Sequence, residues 1–256
     1  MLSSIERHNE ILRLASKTGK VSVDELAHLY SVSTVTIRND LNSLDNKGLL
    51  VRSRGGAILP TGFIKELSIG QKQTKNQAIK QQLATEAAKL IFDGDAIILD
   101  SGTTTEEIAL QLCKHKQLKV LTNGLNVAAK LAQIVDIEIM VTGGTLRQKS
   151  LSFFDDKAES SLQHCHFDKV ILGVDGFDLA AGITTHFAQE ASLNRLMCEK
   201  SSQIIVVTDS SKFGKRSCYI VQAYNKVSTV ITDKGIPAEY KKAFTLAGIQ
   251  LIIVDE

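Results

Sequence analysis

Ser33-Thr34-Val35-Thr36-Ile37-Arg38-Asn39-Asp40-Leu41 reads as the opening of a helix. Ser33 offers a capping hydroxyl, and Val35, Ile37, Leu41 and Leu44 supply an inward apolar stripe. That leaves Thr34, Thr36, Arg38 and Asn39 for the outer face. Short hydroxyl and amide side chains with one arginine are what a helix needs to reach base edges in the major groove of DNA. Asp40 is the odd member, because an acid beside DNA repels it. It is expected to orient an arginine or to cap structure.

Working outward, Ile5, Ile11, Leu12 and Leu14 mark a first helix over roughly residues 4–17, stopped by Thr18-Gly19. Ser22 with Glu25 three residues on reads as a capping box, opening a second helix through Leu26, Ala27, Leu29 and Tyr30. The turn Ser31-Val32 leads into the third helix, which Lys47-Gly48 ends. This succession is the helix-turn-helix arrangement. Residues 49–59 then alternate apolar and basic positions and turn at Gly55-Gly56, the pattern of a β-hairpin. Arg52 and Arg54 on that wing are placed for phosphate or the minor groove. Residues 1–59 are therefore expected to form a winged helix-turn-helix, with Ser33, Thr34, Thr36, Arg38, Asn39, Arg52 and Arg54 as DNA contacts.

Pro60-Thr61-Gly62 ends the wing, and residues 60–75 mix Lys, Gln and Ser with isolated apolar residues, as a partly packed linker would. From residue 76 to 256 helical and strand patterns alternate. Helices are predicted over 78–92, 103–115, 127–134 and 188–201. Short apolar strands are predicted at 96–99, 119–122, 137–142, 169–173, 204–208, 229–232 and 251–254. That alternation specifies an α/β domain with a mostly parallel sheet covered on both faces. Ligands of such sheets bind at the carboxyl ends of the strands, and there the polar residues gather. Asp100-Ser101-Gly102-Thr103-Thr104-Thr105 joins a glycine turn and hydroxyls to a helix N-terminus, an anion site without the lysine or spacing of a P-loop. Other strand ends carry Asn123, Arg147, Asp175 and Lys212 beside glycine or hydroxyl residues, which predicts one polar pocket.

Arg7, Ile11, the run Ser33-x-x-Thr36-Ile37-Arg38-Asn39-Asp40-Leu41 and the wing tip Arg54–Ala57 resemble the signature of the DeoR family of bacterial transcriptional regulators. Residues 76–254 are similar to the sensor domain of that family. The segments 99–105, 190–199 and 207–213 look most like members governing amino-sugar catabolism. The resemblance implies a sensor similar in fold to ribose-5-phosphate isomerase and glucosamine-6-phosphate deaminase. It further implies a repressor of an operon for an amino sugar or related carbohydrate, released from operator double-stranded DNA by a phosphorylated sugar. By it, Ser101, Gly102, Thr103, Thr104 and Thr105 hold the phosphate, while Asp100, Asn123, Arg147, Asp175, Glu190 and Lys212 surround the sugar. The alternative is a sugar-phosphate isomerase or deaminase, with Asp175 or Glu190 as base and Lys212 as electrophile. A metabolic isomerase has no use for a winged helix, so no enzymatic activity and no cofactor are expected.

Composition agrees. The net charge of +2 divides unevenly: residues 1–80 hold 12 Lys/Arg against 7 Asp/Glu, and residues 81–256 hold 18 against 21. A basic head on a mildly acidic body suits nucleic-acid binding. Two prolines and a 43% hydrophobic share argue for packed domains. No 18-residue apolar run and no secretory leader are evident, so no membrane partner and a cytoplasmic location are expected. Cys113, Cys165, Cys198 and Cys218 lack C-x-x-C spacing and read as reduced, mostly buried residues; the His164-Cys165-His166 triplet is not expected to bind metal. One recognition helix spans few base pairs, so a homo-oligomer, dimer or tetramer, is expected.

Overall fold

The computed structural model describes residues 3–46, 49–59, 64 and 66–255. The predicted stops at Lys47-Gly48 and Pro60-Thr61-Gly62 lie outside them. The head runs α1 (Ser4–Thr18), β1 (Lys20–Ser22), α2 (Val23–Tyr30), α3 (Thr34–Asn46), β2 (Val51–Ser53) and β3 (Gly56–Ile58). Its core is Ile11, Leu12, Ala15, Val21, Leu26, Ile37, Leu41, Leu44 and Leu50, with Cys218 of the second domain buried among them.

Three expectations about the head change. Ile5, Leu29 and Val35 face solvent at 75%, 59% and 60% exposure. Ile37, Leu41 and Leu44 set the inward register of α3, and at ~100° per residue Val35 points to the opposite side. Ser22 makes no side-chain cap. It is the last residue of β1, paired with Gly56, and the N–H of Val23 is taken by Gly55 O at 2.9 Å instead. The wing is thus the outer part of a three-stranded sheet ordered β1-β3-β2. Gly56 is required there, because a Cβ would lie 2.0 Å from Val21 O.

After the head come α4 (Ile69–Gln73), α5 (Gln77–Ala88), β4 (Ala96–Leu99), α6 (Thr103–Gln111), β5 (Leu118–Thr122), α7 (Leu125–Leu131) and β6 (Ile137–Val141). There follow β7 (Thr145–Arg147), β8 (Ser152–Phe154), α8 (Asp156–Ser160), β9 (Phe167–Leu172), β10 (Gly176–Asp178), β11 (Gly182–Thr185) and α9 (Ala188–Glu199). The chain ends with β12 (Ser201–Val207), β13 (Tyr219–Gln222), β14 (Thr229–Asp233), α10 (Ala238–Ala247) and β15 (Gln250–Val254). The seven predicted strands form one parallel sheet, ordered β15-β14-β12-β9-β4-β5-β6. Ile98, Val170, Val206 and Val230 are buried on one face, and Ile97, Leu99, Ile171, Ile205 and Ile231 on the other. Such runs, apolar on both faces, are what strands of a covered parallel sheet require. The β7–β8 ribbon and a small antiparallel sheet β10-β11-β13 are additions that the apolar pattern did not announce.

Strand order fixes the site. From β4 the chain winds outward through β5 and β6, then returns to β9 on the other side of β4 and winds away through β12, β14 and β15. The order reverses between β4 and β9, and a crevice opens at such a switch point, beyond the carboxyl ends of the strands. Among the described residues no helix is long and apolar enough to cross a membrane.

Candidate functional site

The outer face of α3 presents Val35, Arg38, Asn39 and Asn42 to solvent. Ser33 caps the helix, its Oγ accepting from Thr36 N at 3.0 Å and lying 2.9 Å from Thr36 Oγ1. Ser33 and Thr36 therefore shape the helix entry, and Thr34 is half-buried beside them. Asp40 lies on the inner face. It accepts from Arg7 Nε at 2.5 Å and Nη2 at 3.0 Å, and His8 Nε2 is 2.9 Å away. The acid in the signature thus orients Arg7 of α1 and leaves Arg38 to solvent. On the wing, Arg54 is exposed at the tip, whereas Arg52 folds back to donate from Nη1 to Gly56 O at 2.6 Å.

The second site is a cleft of about 880 Å³, mouth included, at the β4/β9 switch point. Asp100, Ser101, Gly102, Thr103, Thr104, Asp175, Glu190 and Lys212 of the predicted residues line it. At its floor the first helical bond of α6 runs from Glu106 N to Gly102 O at 3.2 Å, so the N–H groups of Thr103, Thr104 and Thr105 precede the helical ladder. The loop is held in shape from behind. Asn123 Oδ1 accepts from Ser101 N at 2.7 Å, Asn126 Nδ2 donates to Gly102 O at 2.9 Å, and Thr105 Oγ1 donates to Gly102 O at 3.2 Å. Gly102 sits at φ +140°, a conformation nearly closed to other residues. Asn123 and Thr105 therefore support the anion loop rather than line the cleft.

The opposite wall is acidic. Glu190 Oε1 accepts from Ser150 Oγ at 2.6 Å and Ser152 Oγ at 2.5 Å, with Arg147 Nη1 at 3.4 Å. Arg147 does not line the cleft; it stands behind Glu190, lies 4.6 Å over the Phe187 ring and pairs with Glu66 at 2.6 Å. Asp175 accepts from Lys72 Nζ at 2.6 Å and Thr185 Oγ1 at 3.1 Å. Burial alone would raise its pKa, but the charges of Lys72, His186 and Lys212 hold it well below the usual carboxylate range. Among the described residues Asp100 has no ion-pair partner: burial, reinforced by Glu190, pushes it up to about 7. Asn194 Nδ2 donates to Asp100 Oδ2 at 3.3 Å, while Asn194 Oδ1 is buried with no partner among the described residues. A polar atom so placed at a cleft wall is a candidate for a ligand donor.

Sequence reading missed the cations. Lys72, Lys75 and Lys80 all line the cleft: Lys72 on α4 and Lys75 in the turn after it come from what looked like a linker, and Lys80 comes from α5, which was predicted as a helix but not as a cleft wall. Burial depresses both Lys80 and Lys212. One signal was present: Ser68 and Gln71 form a capping box, with Ser68 Oγ accepting from Gln71 N at 3.4 Å and Gln71 Oε1 accepting from Ser68 N at 3.0 Å. Such a pair marks a short ordered helix rather than loose chain.

Residues 7–62 match the model of the DeoR-like helix-turn-helix domain, and residues 75–234 match the DeoR C terminal sensor domain. A protein of Escherichia coli O157:H7, provisionally named as the transcriptional repressor of the aga operon, is 46% identical over 98% of this chain and 94% of its own length. The glycerol-3-phosphate regulon repressor of Escherichia coli K12 is 32% identical over 98% of this chain and 99% of its own. Among solved structures, ribose 5-phosphate isomerase A of Methanocaldococcus jannaschii superposes with a TM-score of 0.41 at 16% identity, over 54% of this chain and 55% of that one.

Proposed function

Because the chain belongs to the DeoR family of transcriptional regulators, we propose that its head binds operator double-stranded DNA and that its cleft takes a phosphorylated sugar whose binding releases the head. It is a transcriptional regulator and not an enzyme. The observation that carries the sugar-phosphate reading is the cleft itself, where the N-terminus of α6, its hydroxyls and four lysines meet four hydrogen-bonding carboxylates (Asp100, Asp175, Glu190 and Asp209) and Asn194. Ser101, Gly102, Thr103 and Thr104 with Lys80 and Lys212 suit a phosphate dianion. Asp100, Asp175, Glu190 and Asn194 suit the hydroxyl or amino groups of a sugar. Neither candidate base of the enzyme alternative is poised for proton abstraction, since Asp175 is ion-paired and Glu190 already accepts from two hydroxyls.

In the head, Arg38 and Asn39 read bases, Arg54 meets phosphate, and Ser33, Thr34, Thr36 and Arg52 shape the surfaces that present them. Residues 1–59 act as the DNA-binding domain and 76–256 as the sensor. The protein works in the cytoplasm as a homo-oligomer, dimer or tetramer, since two recognition helices on spaced half-sites multiply what one helix can specify. Amino-sugar phosphates are the first class to try, given the resemblance of segments 99–105, 190–199 and 207–213 to family members governing amino-sugar catabolism.

Thermal unfolding with galactosamine 6-phosphate tests the cleft. A ligand at 100 times its Kd stabilises by ~2.7 kcal/mol, worth roughly 5–11 °C in a domain of this size. The wild-type protein should show that rise and Thr103→Ala much less. Equal shifts would place the phosphate elsewhere.

A further inference from the structure

Asp100, Glu190 and Asn194 lie together on the acidic side of the cleft, and each is buried, at 4%, 8% and 6% exposure. Two elements bring them together. Asp100 follows β4 at its carboxyl end, and Glu190 and Asn194 stand one turn apart on one side of α9.

The three share a surplus of acceptors. Asn194 Nδ2 donates to Asp100 Oδ2 at 3.3 Å, which turns Asn194 Oδ1 away from the carboxylate, buried and with no partner among the described residues. Asp100 has no ion-pair partner among them either, and its Oδ1 lies 3.5 Å from Ser101 Oγ. Every bond that Glu190 accepts, from Ser150, Ser152 and Arg147, falls on Oε1, so Oε2 is without a partner among the described residues. The lysines of the cleft answer other acids. Lys72 pairs with Asp175 at 2.6 Å, and the strongest carboxylate influence is Asp175 on Lys212 and Asp209 on Lys80. Buried acceptors in such a group cost free energy until a donor reaches them, and two carboxylates among them ask for a positive one.

We propose that Asp100, Glu190 and Asn194 form an ammonium subsite, so that the effector is a phosphorylated sugar carrying a free, unacylated amine. This rests on the reading of the cleft as a phosphosugar site. The choice follows from counting donors. A sugar hydroxyl brings one proton and no charge. An acetamide brings one N–H together with a carbonyl, which meets the same acceptors with the wrong sign. A protonated primary amine brings three N–H groups and a full positive charge, one N–H for each of the three side chains. Burial with Glu190 nearby pushes the apo Asp100 carboxyl up to about 7, and an ammonium beside it favours the ionised form. Charge-assisted bonds of this kind are the strong ones, and a site built for them rejects an analogue that leaves its buried groups unpaired.

The test uses the full chain at pH 7 and calorimetric Kd values for galactosamine 6-phosphate, galactose 6-phosphate and N-acetylgalactosamine 6-phosphate. The corresponding three glucose-type phosphates repeat the comparison with the other C4 epimer. Wild type should bind the free amine at least ~30-fold more tightly than the hydroxyl or the acetamide of the same series. Asp100→Asn keeps the shape and removes the charge, and should bring that ratio below about five while the Kd for the hydroxyl sugar stays within about threefold. Asn194→Leu should lower the ratio as well, and its binding of the hydroxyl sugar shows that the cleft is intact. A wild type that binds hydroxyl or acetamide sugars as tightly as the amine overturns the proposal, and so does a wild-type ratio in Asp100→Asn. Thr103→Val separates this from the reading beneath it, since it should weaken all probes alike and keep the ratio. If that variant binds like wild type, or wild type binds none of the probes, the cleft reading fails and the subsite with it. If Thr103→Val is weakened while wild type does not favour the amine, only the ammonium subsite falls.

Discussion

The buried pair beneath the recognition helix gives the sharpest test of how the head is built. Asp40→Ala removes the acceptor of two Arg7 bonds, at 2.5 and 3.0 Å, where the two side chains are 6% and 9% exposed. Deleting one partner of a buried pair costs roughly 3–5 kcal/mol, because the remaining charge keeps its desolvation penalty. A head of some 55 residues is stable by ~3–8 kcal/mol at typical per-residue values, so the substitution consumes most of that margin. At ~1.4 kcal/mol per decade, amide exchange in α1 and α3 should accelerate at least 100-fold, read peptide by peptide by mass spectrometry. Peptides of the parallel sheet should be unchanged, and phosphosugar affinity should stay within twofold while DNA affinity drops. The double variant Arg7→Met/Asp40→Leu, which replaces the pair with apolar side chains, should restore much of the protection. The pH dependence has a definite sign. Burial pushes the Asp40 pKa up, but Arg7 and His8 outweigh it and the net shift is downward. Its contribution is therefore present above the ordinary aspartate range and lost as pH falls below about 4. Protection of the head in Asp40→Ala within threefold of wild type would refute the reasoning.

Three further outcomes follow from the two sites. Asp100, pushed up to about 7, holds its proton longer in the folded state than unfolded, so its contribution to stability is lost as pH rises toward 7. Asp100→Asn should flatten the change in melting temperature between pH 5 and 8, and an unchanged pH profile would return Asp100 to an ordinary carboxylate. Arg38→Ala should lose ~1–3 kcal/mol of discrimination between selected and scrambled duplexes, whereas Arg54→Ala should weaken both alike and reduce the salt slope by about one phosphate, ~0.9. Equal discrimination by Arg38→Ala would remove Arg38 from base reading. Val35, exposed on the same outer face of α3 as Arg38 and Asn39, suits a thymine methyl. Replacing one contacted thymine by uracil should weaken wild type about fourfold, the ~0.8 kcal/mol of one methyl, and leave Val35→Ser indifferent; a wild type insensitive at every thymine would exclude the contact.

The seven parallel strands were legible because each must be apolar on both faces, and runs such as Ala96–Leu99 and Lys169–Leu172 carry that requirement in four residues. Short antiparallel pieces such as Thr145–Arg147 and Gly176–Asp178 carry no such constraint; each pairs with the next short strand, Ser152–Phe154 or Gly182–Thr185, over three residues that are too few to show a period. The helix register of the head was only partly legible: Ile5, Leu29 and Val35 are apolar, and periodicity alone does not show which apolar residue a small domain leaves outside. The anion loop was readable from Ser101 to Thr105 because glycine, hydroxyls and a helix start lie together in sequence. Lys72 and Lys75 were not, because on a short polar segment they look like solvated lysines, and Lys80 was not, because a lone lysine in an amphipathic helix reads as its solvated face. Asp175, which makes Lys72 a site residue, lies 103 positions away.

The carboxylates chosen from sequence as sugar ligands also anchor the segment that joins the head to the sheet. Asp175 holds Lys72, and Glu190 reaches Glu66 through Arg147, which pairs with both. A sugar hydroxyl that donates to Glu190 competes with Ser150, Ser152 and Arg147 for the same Oε1. An Arg147 released in that way is left with Glu66 as its partner. A phosphate on the N-terminus of α6 and the cleft lysines makes no such demand on Glu190. A free phosphate should accordingly release DNA only in part, and a full response should require the sugar and the phosphate on one molecule; full release by inorganic phosphate in a duplex anisotropy titration would refute the coupling.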